Sequence, residues 1–330
     1  MKIYKTRVLA VLLFISAWSC MPLKADVQPL LEELKLEARK SHSDTLLVTQ
    51  DGKVLAEYYT DEGLHPIELM SAFKSLVALA IGRLIFVGEI ESLDQPVADF
   101  YPEWRQGKKK LITIRHLLNH TSGLQNVANA GDEIYPTPDA IKLALAAELT
   151  TDPGTAFSYN NKATNLLAGI IHQAAGLRMD LYLTKEFFVP MGIEHYKFYY
   201  DPSGNPHAMA GLQLLAKDFA KFGELILNKG QWNKQQLLEL EFLDEMLAQG
   251  QSFSEKAGLL WWRLPGQGNK PDSYYADGFL GQYMVIVPEK GLVAIRQIKQ
   301  SPAYQQSTDG FAHFKHLVAE LAAKLPGGTP

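Results

Sequence analysis

"ELMSAFKSLVALAIGRLIFVG", residues 68–88, sets a serine and a lysine three positions apart at the head of a long apolar run. The run from Ser71 to about Val87 is apolar enough to read as a buried helix closing near Gly88. On a helix, residues i and i+3 share a face, with about 5–6 Å between Cβ atoms. Lys74 therefore reaches the Ser71 hydroxyl. If burial strips the ammonium of its proton, the amine can take the serine's. The helix N-terminus adds backbone N–H groups and a positive dipole end for an oxyanion. Two letters alone are weak, because a chain of this length holds about one S-x-x-K by chance. An ordinary helix start is the plain alternative.

Strand signals lie on both sides of this helix. "DTLLVTQDGKVLAEYYT" (44–60) holds two strand-like runs around Asp51-Gly52, a hairpin dipeptide. "AGLLWWRLP" (257–265), "GQYMVIVP" (281–288) and "GLVAIRQI" (291–298) are rich in strand formers, with "EKG" as a tight turn between the last two. "VQPLLEELKLEARK" (27–40) and "DGFAHFKHLVAELAAKL" (309–325) carry helical spacing, and 90–250 is mostly helical pattern cut by Pro and Gly turns. The expectation is an α/β (α+β) chain: an antiparallel sheet completed by the two ends, with a helical part alongside. The sheet part spans about 26–70 and 251–330, and the helical part about 71–250, in one unit over 26–330.

A second chemical element is "PGTAFSYNN" (153–161). Tyr159-x-Asn161 is the only Tyr-x-Asn among 14 tyrosines, and Ser71-x-x-Lys74 is the only S-x-x-K. A loop tyrosine beside a cationic lysine would have a lowered pKa and act as acid–base. The Asn161 amide suits a substrate carbonyl. A turn with an aromatic packed beneath it is the plain reading.

Composition removes other functions. The 330 residues carry a net charge of −4 and one basic cluster, "GKKK" at 107–110, which reads as a solvated loop; no nucleic-acid partner is expected. Residues 1–25 read as an export signal: "MKIYKTR" is the basic region, "VLAVLLFISAW" the apolar one, and Ala25 a cut site. The apolar stretch falls short of the roughly 20 residues that span a bilayer, so the mature chain is expected without a transmembrane helix and in the periplasm. Cys20 in "AWSC" faintly matches a lipidation box, the less favoured reading. It is also the only cysteine, so cleavage after Ala25 would exclude disulfides and thiolate chemistry.

Taken in order, "SAFKSLVALAIGRLIFVGEIESLDQPVADFYPEW", "ITIRHLLNHTSGL", "PGTAFSYNN…LLAGII", "FVPMGI" and "AGLQLLAKDFAKFGELILNKG" closely resemble the class C β-lactamase family of serine hydrolases. That family includes penicillin-binding carboxypeptidases, D-aminopeptidases, esterases and 6-aminohexanoate-dimer hydrolase. The resemblance covers about residues 40–300. It implies a β-lactamase/transpeptidase-like fold with the active site between sheet and helical part, and no cofactor or metal. It implies Ser71 as acylated nucleophile, Lys74 as its partner, Tyr159 as proton relay and Asn161 as substrate-orienting amide. The implied substrate is a small ester or amide, or a peptidoglycan-derived peptide.

The chain departs from the family at the third box. Lys-Thr-Gly and Lys-Ser-Gly are absent, and Ala276-Asp277-Gly278 stands at the matching place in "YYADGFLGQYMVIVP". Gly278 allows close backbone approach, and the Phe279 N–H is expected to join the Ser71 N–H as an oxyanion hole. Asp277 beside a substrate carboxylate would cost about 1–4 kcal/mol at about 4 Å. Neutral esters, amides or amine-bearing substrates are thus favoured over β-lactams, with Lys270 or Arg263 as alternative sources of positive charge.

Several motifs are set aside. "ELILN" (224–228) sits within a helical pattern. His116 and His120 have zinc spacing, but Leu117 replaces the Glu of H-E-x-x-H, so they read as packing histidines. His313 and His316 read as surface residues. There is no G-x-S-x-G. Trp261, Trp262, Tyr274 and Tyr275 suggest either an aromatic cleft or sheet packing. The rival to an enzyme is a catalytically idle relative that binds peptidoglycan or a partner.

Overall fold

Asp51 and Gly52 turn the chain with φ of 48° and 71°, the left-handed pair that a two-residue hairpin needs, and Gln50 faces Lys53 across it. The computed structural model describes residues 26–127, 129–299 and 309–328; the export-signal segment and Cys20 lie outside them. In chain order the elements used below are α1 (Val27–Lys40), β1 (Thr45–Gln50), β2 (Lys53–Tyr59), β3 (Ile67–Glu68), α2 (Phe73–Phe86), α3 (Asn161–Ala175), β4 (Tyr196–Phe198) and β5 (Leu212–Leu214). They continue with α4 (Ala216–Leu227), β6 (Trp262–Leu264), β7 (Ser273–Gly278), β8 (Gln282–Val287), β9 (Leu292–Gln297) and α5 (Phe314–Lys324).

Six strands form one antiparallel sheet in the order β2-β1-β9-β8-β7-β6. Two-residue alternation sorts its side chains. Leu46, Val48, Tyr283, Val285 and Ala294 face a layer made by α1 and α5, while Leu47, Met284, Ile286, Val293 and Ile295 face the core that contains α2 and α4. Covered on both faces, β8 and β9 are buried throughout, which is why Met284–Val287 and Leu292–Ile295 read as continuous apolar runs. At Gly223 of α4 a Cβ would come within 2.9 Å of Val293, so the helix lies directly on the sheet.

Two departures from the sequence expectation concern strands. The run 257–265 yields only β6, because Leu260 takes φ 57° and its backbone is committed elsewhere. Its N–H donates to the Leu118 carbonyl, its carbonyl accepts from Ser75 Oγ, and the Trp261 indole donates to the Ser75 carbonyl. The other is a small sheet, β3-β5-β4, two of whose strands, β4 and β5, lie inside what read as helical territory. Strands of two or three residues are too short to show an alternation.

Among the described residues no helix is long and apolar enough to cross a membrane.

Candidate active site

β3 leads straight to the serine. Ile67 and Glu68 pair with Leu214 and Gln213, and the Leu69 N–H donates to the Leu212 carbonyl. Met70 then adopts φ 50°, a left-handed conformation uncommon for a side chain of its size. A single 3-10 turn, Met70–Ala72, follows and runs into α2. The reversal at Met70 thus sets Ser71 at the helix entrance.

Lys74, one turn further, is 2% exposed. Its Nζ lies 2.8 Å from Ser71 Oγ and donates to the Met209 carbonyl at 2.6 Å. Burial drives the amine well below the ordinary lysine pKa, with no carboxylate beside it to oppose the shift. The Met209 carbonyl is held in turn by α3, because the Met209 N–H donates to Asn165 Oδ1 at 3.1 Å. Asn165 and Met209 therefore aim Lys74 at the serine.

Tyr159 reaches the same point from the loop before α3. Its hydroxyl hydrogen-bonds the Ser71 side chain, and Lys74 Nζ lies 5.0 Å from its ring centroid. The loop is clamped by "NHTSGL" (119–124): Ser158 N–H donates to the His120 carbonyl, Asn160 N–H to His120 Nδ1, and Asn160 Nδ2 to the Leu124 carbonyl. Asn126 Nδ2 donates to the Tyr159 carbonyl. Asn160 also caps α3 by accepting from the Ala163 N–H.

A lowered tyrosine pKa, expected from a cationic neighbour, is not what the structure gives. Burial pushes Tyr159 up to about 12, only partly opposed by its bond to Ser71, and the charge of Asp277 adds to the rise. The phenol is therefore protonated at neutral pH. His120, whose ring stands 4.6 Å from that of Tyr159, falls to about 3 through burial and the nearby Lys74, so it is a neutral brace. His116 accepts from the Thr113 N–H in the cap of its own helix.

The third side is the end of β7. A Cβ on Gly278 would stand 2.3 Å from the Leu69 carbonyl oxygen and 3.1 Å from the Ala72 nitrogen, so only glycine lets the strand touch the turn that carries Ser71. Phe279, next in sequence, is 50% exposed and lines the cleft on both sides of the serine. Asp277 also lines the cleft, but Lys315 of α5 lies 3.4 Å from its Oδ2 and 3.0 Å from the Tyr283 hydroxyl. Burial raises the Asp277 pKa and Lys315 opposes the rise.

Asp277 is thus charge-compensated, and the repulsion expected from sequence is correspondingly smaller. Lys270 and Arg263 do not supply that charge: Lys270 pairs with Glu320, and Arg263 Nη1 donates to the Glu255 carbonyl.

Two cavities meet at Ser71. One, about 390 Å³, is lined by Tyr159, Trp262, Asp277, Gly278, Phe279 and Asp309 among others. Trp262 stacks on Tyr159 at 6.2 Å, whereas Trp261 is core. The other, about 780 Å³, contains Asn161, whose buried Oδ1 has no hydrogen-bond partner among the described residues. The structure thus gathers Ser71, Lys74, Tyr159, Asn161, Asp277, Gly278 and Phe279 around one cleft. Sequence reading missed Glu68, Asn165, Met209 and Lys315, and it took His120 for packing alone. Glu68 stands three residues before Ser71 and was within reach of inspection; Met209 acts through its carbonyl, which no side-chain pattern reveals.

A family profile described as Beta-lactamase matches residues 26–312. A 240-residue stretch, 67% of this chain and 61% of the relative, is 27% identical to 6-aminohexanoate-dimer hydrolase of Paenarthrobacter ureafaciens. A 127-residue stretch, 33% of this chain and 32% of the relative, is 32% identical to Esterase EstB of Burkholderia gladioli. The chain thus covers less than two thirds of either relative's own length. The solved structure of the octameric penicillin-binding protein homologue from Pyrococcus abyssi has the same fold, with TM-score 0.71 at 20% identity over 91% of this chain and 78% of that one.

Proposed function

The chain belongs to the beta-lactamase family, and from that premise we propose that it is a serine hydrolase acting on small esters or amides through an acyl-enzyme on Ser71. The observation that carries this reading is the 2.8 Å approach of the buried Lys74 amine, whose pKa burial lowers, to Ser71 Oγ. The uncharged amine takes the hydroxyl proton as Oγ attacks the substrate carbonyl. The oxyanion accepts from the Ser71 and Phe279 N–H groups. Tyr159, protonated at rest, gives its proton to the leaving alkoxide or amine and recovers one from Lys74, closing the first half-reaction. Water then attacks the acyl carbon while giving a proton to the same pair, the bond to Ser71 Oγ breaks, Oγ takes that proton back, and the acid leaves. Asn161 orients the substrate through its free carbonyl oxygen.

The cleft favours neutral or cationic substrates, as in a carboxylesterase or a hydrolase of D-amino-acid or ω-amino amides, over β-lactams. Its described walls carry Glu68, Asp201, Asp277 and Asp309, of which Lys315 compensates Asp277, and the one lysine among them is Lys74, whose charged form burial disfavours. The basic and apolar segments before Ala25 support export to the periplasm; N-terminal sequencing of the secreted protein tests it, expecting a start at Asp26.

A fluorophosphonate probe and a labelled penicillin, each applied to the wild type and to Ser71→Ala, test the reaction. The expected result is a fluorophosphonate adduct on the wild type only, with little penicillin adduct. An equally rapid penicillin adduct would overturn the substrate preference. No adduct with either reagent on folded protein would favour a non-catalytic binding relative.

A further inference from the structure

The cavity of about 780 Å³ beside Ser71 has no lysine or arginine among its described lining residues, yet it holds two carboxylates, Glu68 and Asp201. Asp201 is engaged by its own loop, accepting from the Ala140 N–H, the Asn205 N–H and Asn205 Nδ2. Glu68 is different. It is half-buried, burial raises its pKa, and among the described residues the Gly211 N–H alone opposes the rise and no cation compensates it. Its charge is felt by Tyr135 and Tyr199, two aromatic walls of the same cavity.

A third wall residue, His207, is 6% exposed and leaves Nδ1 without a hydrogen-bond partner, with its ring edge-on to Tyr135 at 5.6 Å. Burial keeps this imidazole neutral. Lys197 sits over the Tyr199 ring at 4.9 Å and is not among the described lining residues. A half-buried carboxylate flanked by aromatic rings, with a vacant imidazole nitrogen nearby, is a site for an organic cation.

Resting on the reading of Ser71 as nucleophile, we infer that this cavity receives an acyl group bearing an ammonium, paired with the Glu68 carboxylate and flanked by Tyr135 and Tyr199. Asn161 opens onto the same cavity and Ser71 stands at its mouth, so an acyl chain held by Asn161 extends toward Glu68. The substrate class is then ω-amino or aminoacyl esters and amides. Glu68 makes the choice between a cationic acyl group and its neutral isostere.

The test compares p-nitrophenyl 6-aminohexanoate with p-nitrophenyl heptanoate, which differ by ammonium against methyl. In the wild type kcat/KM is expected to favour the ammonium ester by tenfold or more. In Glu68→Gln that ratio is expected to fall at least tenfold. A wild-type ratio near one, or a ratio unchanged in Glu68→Gln, would overturn the proposal.

Calorimetry separates failure of the pocket from failure of the nucleophile, using 6-aminohexanamide and heptanamide on folded Ser71→Ala protein. Tenfold tighter binding of the cation supports the pocket even where neither ester is hydrolysed. Equal or undetectable binding of both overturns it.

Discussion

At the scale of single residues, the burial of Lys74 makes a signed prediction. Between its depressed folded pKa and 10.5, the unfolded chain holds a proton that the folded chain lacks. Stability of the wild type therefore rises with pH across that window, by about 1.4 kcal/mol per unit. Lys74→Met removes this dependence, so denaturant midpoints measured from pH 7 to 10 should show the variant losing ground to the wild type as pH increases. Parallel curves would mean the folded amine is charged. In the wild type, kcat/KM for a neutral ester should have an acid limb well below pH 10.5 and stay level to pH 10, because Tyr159 titrates only near 12. That Ser71, Lys74, Tyr159 and Asn161 come together was legible in the sequence because each sits in a short motif at fixed spacing. The direction of the Tyr159 shift was not, since it depends on how deeply the fold buries the phenol and on Asp277 lying near it.

Among elements, the contact of β7 with the Ser71 turn is the most exacting. Gly278→Ala would drive a methyl into the Leu69 carbonyl and the Ala72 nitrogen. The strand must retreat, and misplacement near 1 Å costs roughly 10²-fold in rate. Stopped-flow acylation should slow by about that factor while the melting temperature moves little; unchanged acylation would remove β7 from the oxyanion site. The elements themselves were readable where the pattern was long. α1, α2, α5 and the β1–β2 hairpin follow from apolar period and from Asp51-Gly52. β3, β4 and β5 were not, because strands of two or three residues are too short to show an alternation.

Across the whole molecule, the C-terminal helix reaches back to the cleft. Lys315 of α5 holds Asp277 and lies against the Tyr283 ring at 4.2 Å, so the final helix sets the charge beside the nucleophile. Lys315→Met should lower turnover of carboxylate-bearing esters relative to neutral ones by about 3- to 30-fold; an unchanged ratio would leave Lys315 a packing role only. The overall plan, one sheet built from both ends of the chain, was visible in the strand signals, but the link from residue 315 to 277 needs three dimensions.

Met70 has a consequence that reaches beyond its turn. Its backbone is forced into a region where glycine rests at ease, while its side chain helps close the larger cavity. One codon thus couples the pose of the attacking oxygen to the room left for the acyl chain. Exchange for glycine would ease the bend and widen the chamber together, so a lineage of this scaffold can admit bulkier acyl groups without first weakening its framework.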